Sequence, residues 1–184
     1  MTATARVVRL GARLRPPERT RVPAWVVPIV VARPSDLLER SGSSLGTGDW
    51  HTVTQAEVNH FAEGTGNRAP IHTDPEFASQ TPFGTTIAFG IQILAMATML
   101  LGDLWELRNV VNGVDYGANK VRYPAPVTVG SRVRLRAGLA DATPVGDDAV
   151  RVTLDLEFEI EGGDRPACVA QIVFVFWFGG SEPA

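Results

Sequence analysis

The sequence predicts an α+β domain in which a strongly curved antiparallel sheet wraps around one long helix, and two features predict it. The first is residues 87–101, where only Gly90, Gln92 and Thr98 interrupt a run of Ile, Leu, Met, Ala and Phe. A helix of this composition is apolar nearly all round and has to be surrounded. At about 1.5 Å per residue it runs roughly 22 Å, and it is shorter than the roughly 20 apolar residues of a bilayer span. The second lies beyond that helix, where residues 110–123, 132–142, 149–160 and 167–178 are rich in Val, Phe, Leu and Ile, which marks four strands. Alternation is clearest in VRVTLDLEFEI, with Val150, Val152, Leu154, Leu156, Phe158 and Ile160 on one face and charged or hydroxyl side chains on the other. Such a pattern belongs to a half-buried antiparallel strand.

The elements are justified in chain order. Six arginines, Arg6, Arg9, Arg13, Arg15, Arg19 and Arg21, precede the apolar run 22–32. Pro23 and Pro28 break any helical signal core there, and no small-x-small cleavage pattern comes after it. Residues 1–44 therefore read as an irregular arm with an extended piece lying on the domain or on a partner, and with a short helix capped by Ser35. SGSSLGTG reads as a flexible joint, and the compact domain is expected over residues 45–180. Trp50 to Val53 is a short strand, and Thr54 with Glu57 three residues later forms a capping box for a helix ending near Glu63. Gly64 to Pro70 is a polar loop, Asp74-Pro75 opens a short helix, and Thr81 to Gly84 is a turn before the long helix. Residues 144–148 and 161–165 are hairpin turns by composition.

The chain of 184 residues has a formal net charge of -3, 45% apolar and 20% charged residues. The charge argues against a nucleic-acid binder. A lone cysteine, Cys168, lies among apolar residues and allows no intramolecular disulfide; with no convincing export signal, a cytoplasmic, non-membrane setting is expected. A single curved sheet leaves an edge strand unpaired, which dimerisation would protect.

Three segments, FAEGTGNRAPIHTDPEFA, PFGTTIAFG and YGANKVRYPAPVTVGSRVRLRA, together with the order of elements, resemble the hotdog fold. The similarity is specifically to the MaoC-like (R)-specific enoyl-CoA hydratases and dehydratases, and among them to the NodN-like group. The resemblance implies addition of water across the double bond of a 2-enoyl thioester, or its reversal. An Asp and a His share the water, and a backbone N–H at the start of the central helix polarises the thioester carbonyl. It implies no cofactor and no metal, an acyl-CoA or acyl-carrier-protein thioester as substrate, and a homodimer or a heteromer with an active paralogue.

Carried over residue by residue, the family His falls on His72 and the helix-start N–H on Gly90, where absence of a Cβ would let a thioester approach. The family Asp falls on Asn67. An amide orients a water but does not accept its proton. Ala69 and Phe89 stand where the family has Asn and His. Phe83, Gly84, Thr85, Thr86, Phe89 and Ala69 are the expected substrate-contacting residues. Two accounts fit these substitutions: a site retuned for a related elimination or addition on an acyl or polyketide thioester with His72 as acid/base, or a catalytically impaired subunit or acyl-binding partner. A hotdog thioesterase is a third. From the residues alone, Asn67 after Gly66 is a turn residue, Asp74 a helix cap, and Cys168 a core side chain. His51, His60, His72 and Asp74 lack a recognised metal-ligand spacing. Arg122, Arg132, Arg134 and Arg136 are placed on the solvent face of the sheet; the alternative is that some of them meet the phosphates of CoA or an acidic carrier protein.

Overall fold

The computed structural model describes residues 28–179. In chain order these form β1 (Ile29–Val31), α1 (Pro34–Leu38), β2 (Ser43–Thr47), β3 (His51–Thr52), α2 (Gln55–Thr65), α3 (Pro70–Thr73) and α4 (Pro75–Ser79). They continue with α5 (Gly90–Ala95), α6 (Ala97–Leu100), a 3-10 turn (Leu101–Asp103), β4 (Trp105–Leu107), β5 (Val110–Arg122), β6 (Arg132–Val145), β7 (Ala149–Ile160) and β8 (Cys168–Phe178). The main sheet is antiparallel in the order β2-β6-β7-β8-β5, with β3 also paired to β6.

The alternation of β7 does what its pattern predicts. Val150, Val152, Leu154, Leu156 and Phe158 are buried, as are Val133, Leu135 and Leu139 of neighbouring β6. On the opposite face, arginines of β6 stand across from glutamates of β7. Arg134 meets Glu159 at 2.6 Å and Arg136 meets Glu157 at 2.7 Å, with Arg132 and Glu161 continuing the row. Trp50 lies under this row, with the Arg134 guanidinium 4.5 Å from its ring centroid. Three of the four arginines considered for phosphates are thus occupied by carboxylates, while Arg122 donates to the Val121 carbonyl.

The central helix departs from expectation in two ways. It begins at Gly90 rather than at residue 87, because Ile87 is drawn into an antiparallel bridge with Thr128, and it is divided at Met96 into α5 and α6. The sheet wraps one side of it. Phe89, Ile93, Ala97 and Leu100 form a stripe against the sheet, whereas Ile91 is 54% and Met99 51% exposed. The edge strand β5 is open as well: Val111, Val114 and Tyr116 are exposed apolar or aromatic side chains.

The N-terminal region also differs. SGSSLGT is not a joint; Ser43 to Thr47 pairs with β6 through a bulge near Gly46, whose φ of 108° accommodates the irregularity. Backbone hydrogen bonds hold this strand, which is why its small side chains gave no strand signal. The boundary expected at 44/45 falls inside packed structure, since Val31 and Leu37 are fully buried. The extended piece expected to lie on the domain is β1, parallel to β4. Ser35 lies inside α1, whose N-cap is Arg33; Asp36 in the first turn completes the capping box by accepting from the N–H groups of Ala32 and Arg33. The six arginines and Pro23 lie outside the described residues.

Candidate functional site

Three short segments meet where α2 begins. Thr54 and Glu57 form the expected capping box, with the Thr54 N–H 2.7 Å from a Glu57 carboxylate oxygen. Burial opposes ionisation of Glu57, but the N–H and hydroxyl of Thr54 and the nearby His51 hold its carboxyl below the ordinary value. The helix ends at Gly66, whose φ of 70° is the left-handed cap that glycine tolerates. Pro70 then opens α3, which carries His72, and Asp74 caps α4 by accepting from the N–H groups of Glu76 and Phe77. After a turn at Gly84, residues 86–88 run back beside α3. The Ile87 N–H donates to the Ile71 carbonyl at 3.2 Å, and the Ala88 N–H to Val127 at 2.8 Å.

His72 is fixed on two sides. Its Nδ1 lies 2.7 Å from the Ile87 carbonyl oxygen. A carbonyl only accepts, so Nδ1 carries the proton and Nε2 of the neutral ring keeps its lone pair. Phe89 stacks on the imidazole with ring centroids 3.7 Å apart and planes at 27°, and Phe61 packs behind Phe89 at 5.1 Å. Gln55, which the sequence did not single out, joins the same cluster. Its Nε2 donates to the His72 carbonyl at 2.8 Å and to Asn59 Oδ1 at 2.9 Å, and its Oε1 accepts from the Thr86 hydroxyl at 2.5 Å.

The other expected residues divide. Thr86 and Phe89 are buried, and their contacts are with Gln55 and the His72 ring rather than with open space. Ala69 is the half-buried residue before α3, Thr85 is half-buried, and Phe83 and Gly84 are exposed on the approach. Asn67 is exposed, and its Oδ1 accepts from the Ala69 N–H at 3.2 Å, the local turn bond that asparagine makes readily. Gly90 is at the first position of α5, where a helix leaves its N–H without an intrahelical acceptor. The space beside its Cα is not empty, however: a Cβ built there would fall 2.8–3.0 Å from the Tyr123 ring. Close packing of Tyr123 therefore accounts for this glycine directly. Burial raises the Tyr123 pKa, and so does Cys168.

Cys168 is buried and its thiol is pushed up to about 11, which keeps it protonated and unreactive. Among the described residues no three His, Cys, Asp or Glu side chains are grouped to hold a metal, and no helix is long and apolar enough to cross a membrane. A broad groove lined by Lys120, Arg122, Arg136, Gly138, Asp155 and Gln171 includes none of the residues around His72.

Comparison with known proteins identifies the family and the fold. The chain is 45% identical over 139 residues to 3-hydroxyacyl-thioester dehydratase Z of Mycobacterium tuberculosis, covering 76% of this chain and 92% of that protein. It is 35% identical over 150 residues to nodulation protein N of Rhizobium leguminosarum, covering 80% and 93%. The structure superposes on an R-hydratase of Pseudomonas aeruginosa with a TM-score of 0.60 at 16% identity, over 78% of this chain and 90% of the other. That match supports the hotdog fold. The family pattern described as a MaoC like domain matches residues 37–158, and the chain belongs to this family of hotdog-fold, MaoC-like dehydratase domains.

Proposed function

We propose that the protein is a hydro-lyase acting on an acyl thioester, with His72 as its acid/base. The observation that carries this reading is the His72 ring itself, held by the Ile87 carbonyl so that Nε2 is the proton-accepting nitrogen. In the dehydration direction Nε2 takes a proton from C2 of a 3-hydroxyacyl thioester. Negative charge collects on the carbonyl oxygen, to which the Gly90 N–H donates a hydrogen bond. The imidazolium returns the proton to the C3 hydroxyl as the C3–O bond breaks, releasing water and the 2-enoyl thioester. Hydration is the reverse. One group carries the proton both ways, so Asn67 is needed only to orient the hydroxyl or water through its amide. Phe83, Gly84, Thr85 and Ala69 line the approach of the acyl chain, and the thioester is carried on CoA or an acyl carrier protein.

The active form is proposed to be a homodimer. An exposed 13-residue edge strand, β5, offers unpaired backbone groups to a second copy, and Val111, Val114 and Tyr116 of β5, like Ile91 and Met99 of the central helix, are exposed.

A second reading, a catalytically impaired subunit that binds acyl groups or partners an active paralogue, is favoured by Asn67 alone. Hydration of crotonyl-CoA by wild type and His72→Ala separates the two. Loss of a proton-transfer group is expected to cost about 10²–10⁴-fold in rate. A wild-type rate that survives the His72 change overturns the catalytic assignment, absence of turnover in wild type favours the impaired subunit, and release of free thiol points to a thioesterase.

A further inference from the structure

We infer that Gln55 is a positioning residue for His72. This rests on His72 being the acid/base. The contacts close a ring around the imidazole. Gln55 Nε2 holds the His72 backbone carbonyl, the His72 side chain holds the Ile87 carbonyl, and Thr86, the neighbour of Ile87, donates its hydroxyl back to Gln55 Oε1. Each bond spans a large sequence separation: 17 residues for Gln55 to His72, 15 for His72 to Ile87 and 31 for Gln55 to Thr86. Gln55 thus joins the two segments that His72 must bridge, the backbone bearing the ring and the backbone accepting its Nδ1–H.

The orientation of the amide is dictated by its partners. A carbonyl at His72 requires a donor, and that identifies the Nε2 side. Thr86 is 2% exposed, so its hydroxyl proton has little recourse to water and is directed at Oε1. Asn59 Oδ1 takes the second amide hydrogen. Three of the bonds available to the side chain are satisfied by fixed groups, which leaves little rotational freedom. Capping of α2 does not require Gln55, because Thr54 and Glu57 already complete that box. A short α3 of four residues, Pro70–Thr73, has little internal hydrogen bonding to hold His72 by itself. Displacement of a catalytic group by about 1 Å can cost on the order of 10²-fold, so a side chain that fixes the His72 backbone has leverage on turnover without touching substrate.

The test uses Gln55→Met, which keeps the length and loses every polar contact, and Thr86→Val, which removes the hydroxyl alone. With crotonyl-CoA, Gln55→Met is expected to lower kcat by about 10–100-fold with KM changed less than about threefold, as expected for displacement of a reacting group. Thr86→Val is expected to act in the same direction, and the double variant to lose no more than Gln55→Met, since both break one ring. In a His72→Ala background Gln55→Met is expected to have no further effect on residual turnover. Long-range ¹H–¹⁵N NMR of the imidazoles, with His72 identified by its loss in His72→Ala, reads the ring without turnover. Wild type is expected to show a single Nδ1-protonated form and Gln55→Met a mixture of tautomers. An unchanged tautomer signal in both folded variants overturns the positioning role, as does a Gln55→Met rate loss that persists undiminished without His72. If wild type proves inactive, the proposed function fails while the NMR comparison still decides the role of Gln55; if Gln55→Met does not fold, Thr86→Val decides it.

Discussion

Asn67→Asp is expected to raise hydration of crotonyl-CoA, and the size of the gain can be worked out. Asn67 is exposed, and its Oδ1 accepts the Ala69 N–H at 3.2 Å. Aspartate has the same shape and keeps that acceptor. The turn is therefore preserved and stability is expected to stay within about 0.5 kcal/mol of wild type. What changes is proton capacity, because a protonated carboxyl can give its proton to C2 while His72 Nε2 takes one from water. A second proton carrier is worth about 10²–10⁴-fold, or about 2.7–5.4 kcal/mol of barrier. Initial rates with crotonyl-CoA, alongside thermal melts of both proteins, measure the two quantities together. An unchanged melt with no gain in rate would refute the reasoning, since position 67 would then lie out of reach of the reacting atoms.

Three further outcomes are expected. Gly90→Ala places a methyl 2.8–3.0 Å from the Tyr123 ring and should lower stability by about 1–3 kcal/mol; a denaturant titration that shows no loss would mean that the ring is not packed there. Glu57→Gln should cost less than about 1 kcal/mol at pH 7. Because the Glu57 carboxyl is held below its ordinary value of 4.5, its ionised form stabilises the fold above that pH and loses the effect as pH falls through the lower folded value. Melts of the two proteins should therefore converge in acid. Val114→Arg, on the exposed edge strand, should shift the mass measured by light scattering from dimer to monomer, and an unchanged mass would exclude β5 from the interface.

How much was legible beforehand depended on where the information resides. The β7 pattern and the Thr54–Glu57 box are local, with period and spacing written in adjacent residues, and the structure contains both. β2 was missed because Ser43 to Thr47 is held by the backbone of β6, which no side-chain pattern records. Ile91 and Met99 are apolar yet exposed, since apolarity shows that a face needs covering but not whether the same chain covers it. Around His72 the histidine was recognisable by its motif, while Gln55 was not. Its meaning lies in partners 17 and 31 residues away. Tyr123 was passed over for the same reason, as only folding brings it against Gly90.

The arginine and glutamate row across β6 and β7 has a consequence for strand alignment. Arg132, Arg134 and Arg136 face Glu161, Glu159 and Glu157. A slip by one residue would turn every member of one strand toward the opposite face. A slip by two would still bring Arg134 to Glu161 and Arg136 to Glu159, retaining most of the charge complementarity. The row therefore distinguishes sides better than it distinguishes positions. Alignment has to be set elsewhere, by the irregularity between Leu139 and Asp141 and by the turn at Gly146, with its φ of 64°. Shortening or lengthening that turn by two residues would accordingly leave a slipped hairpin with its charges matched but with Phe158 withdrawn from its place opposite Leu135, a misalignment that electrostatics would not correct.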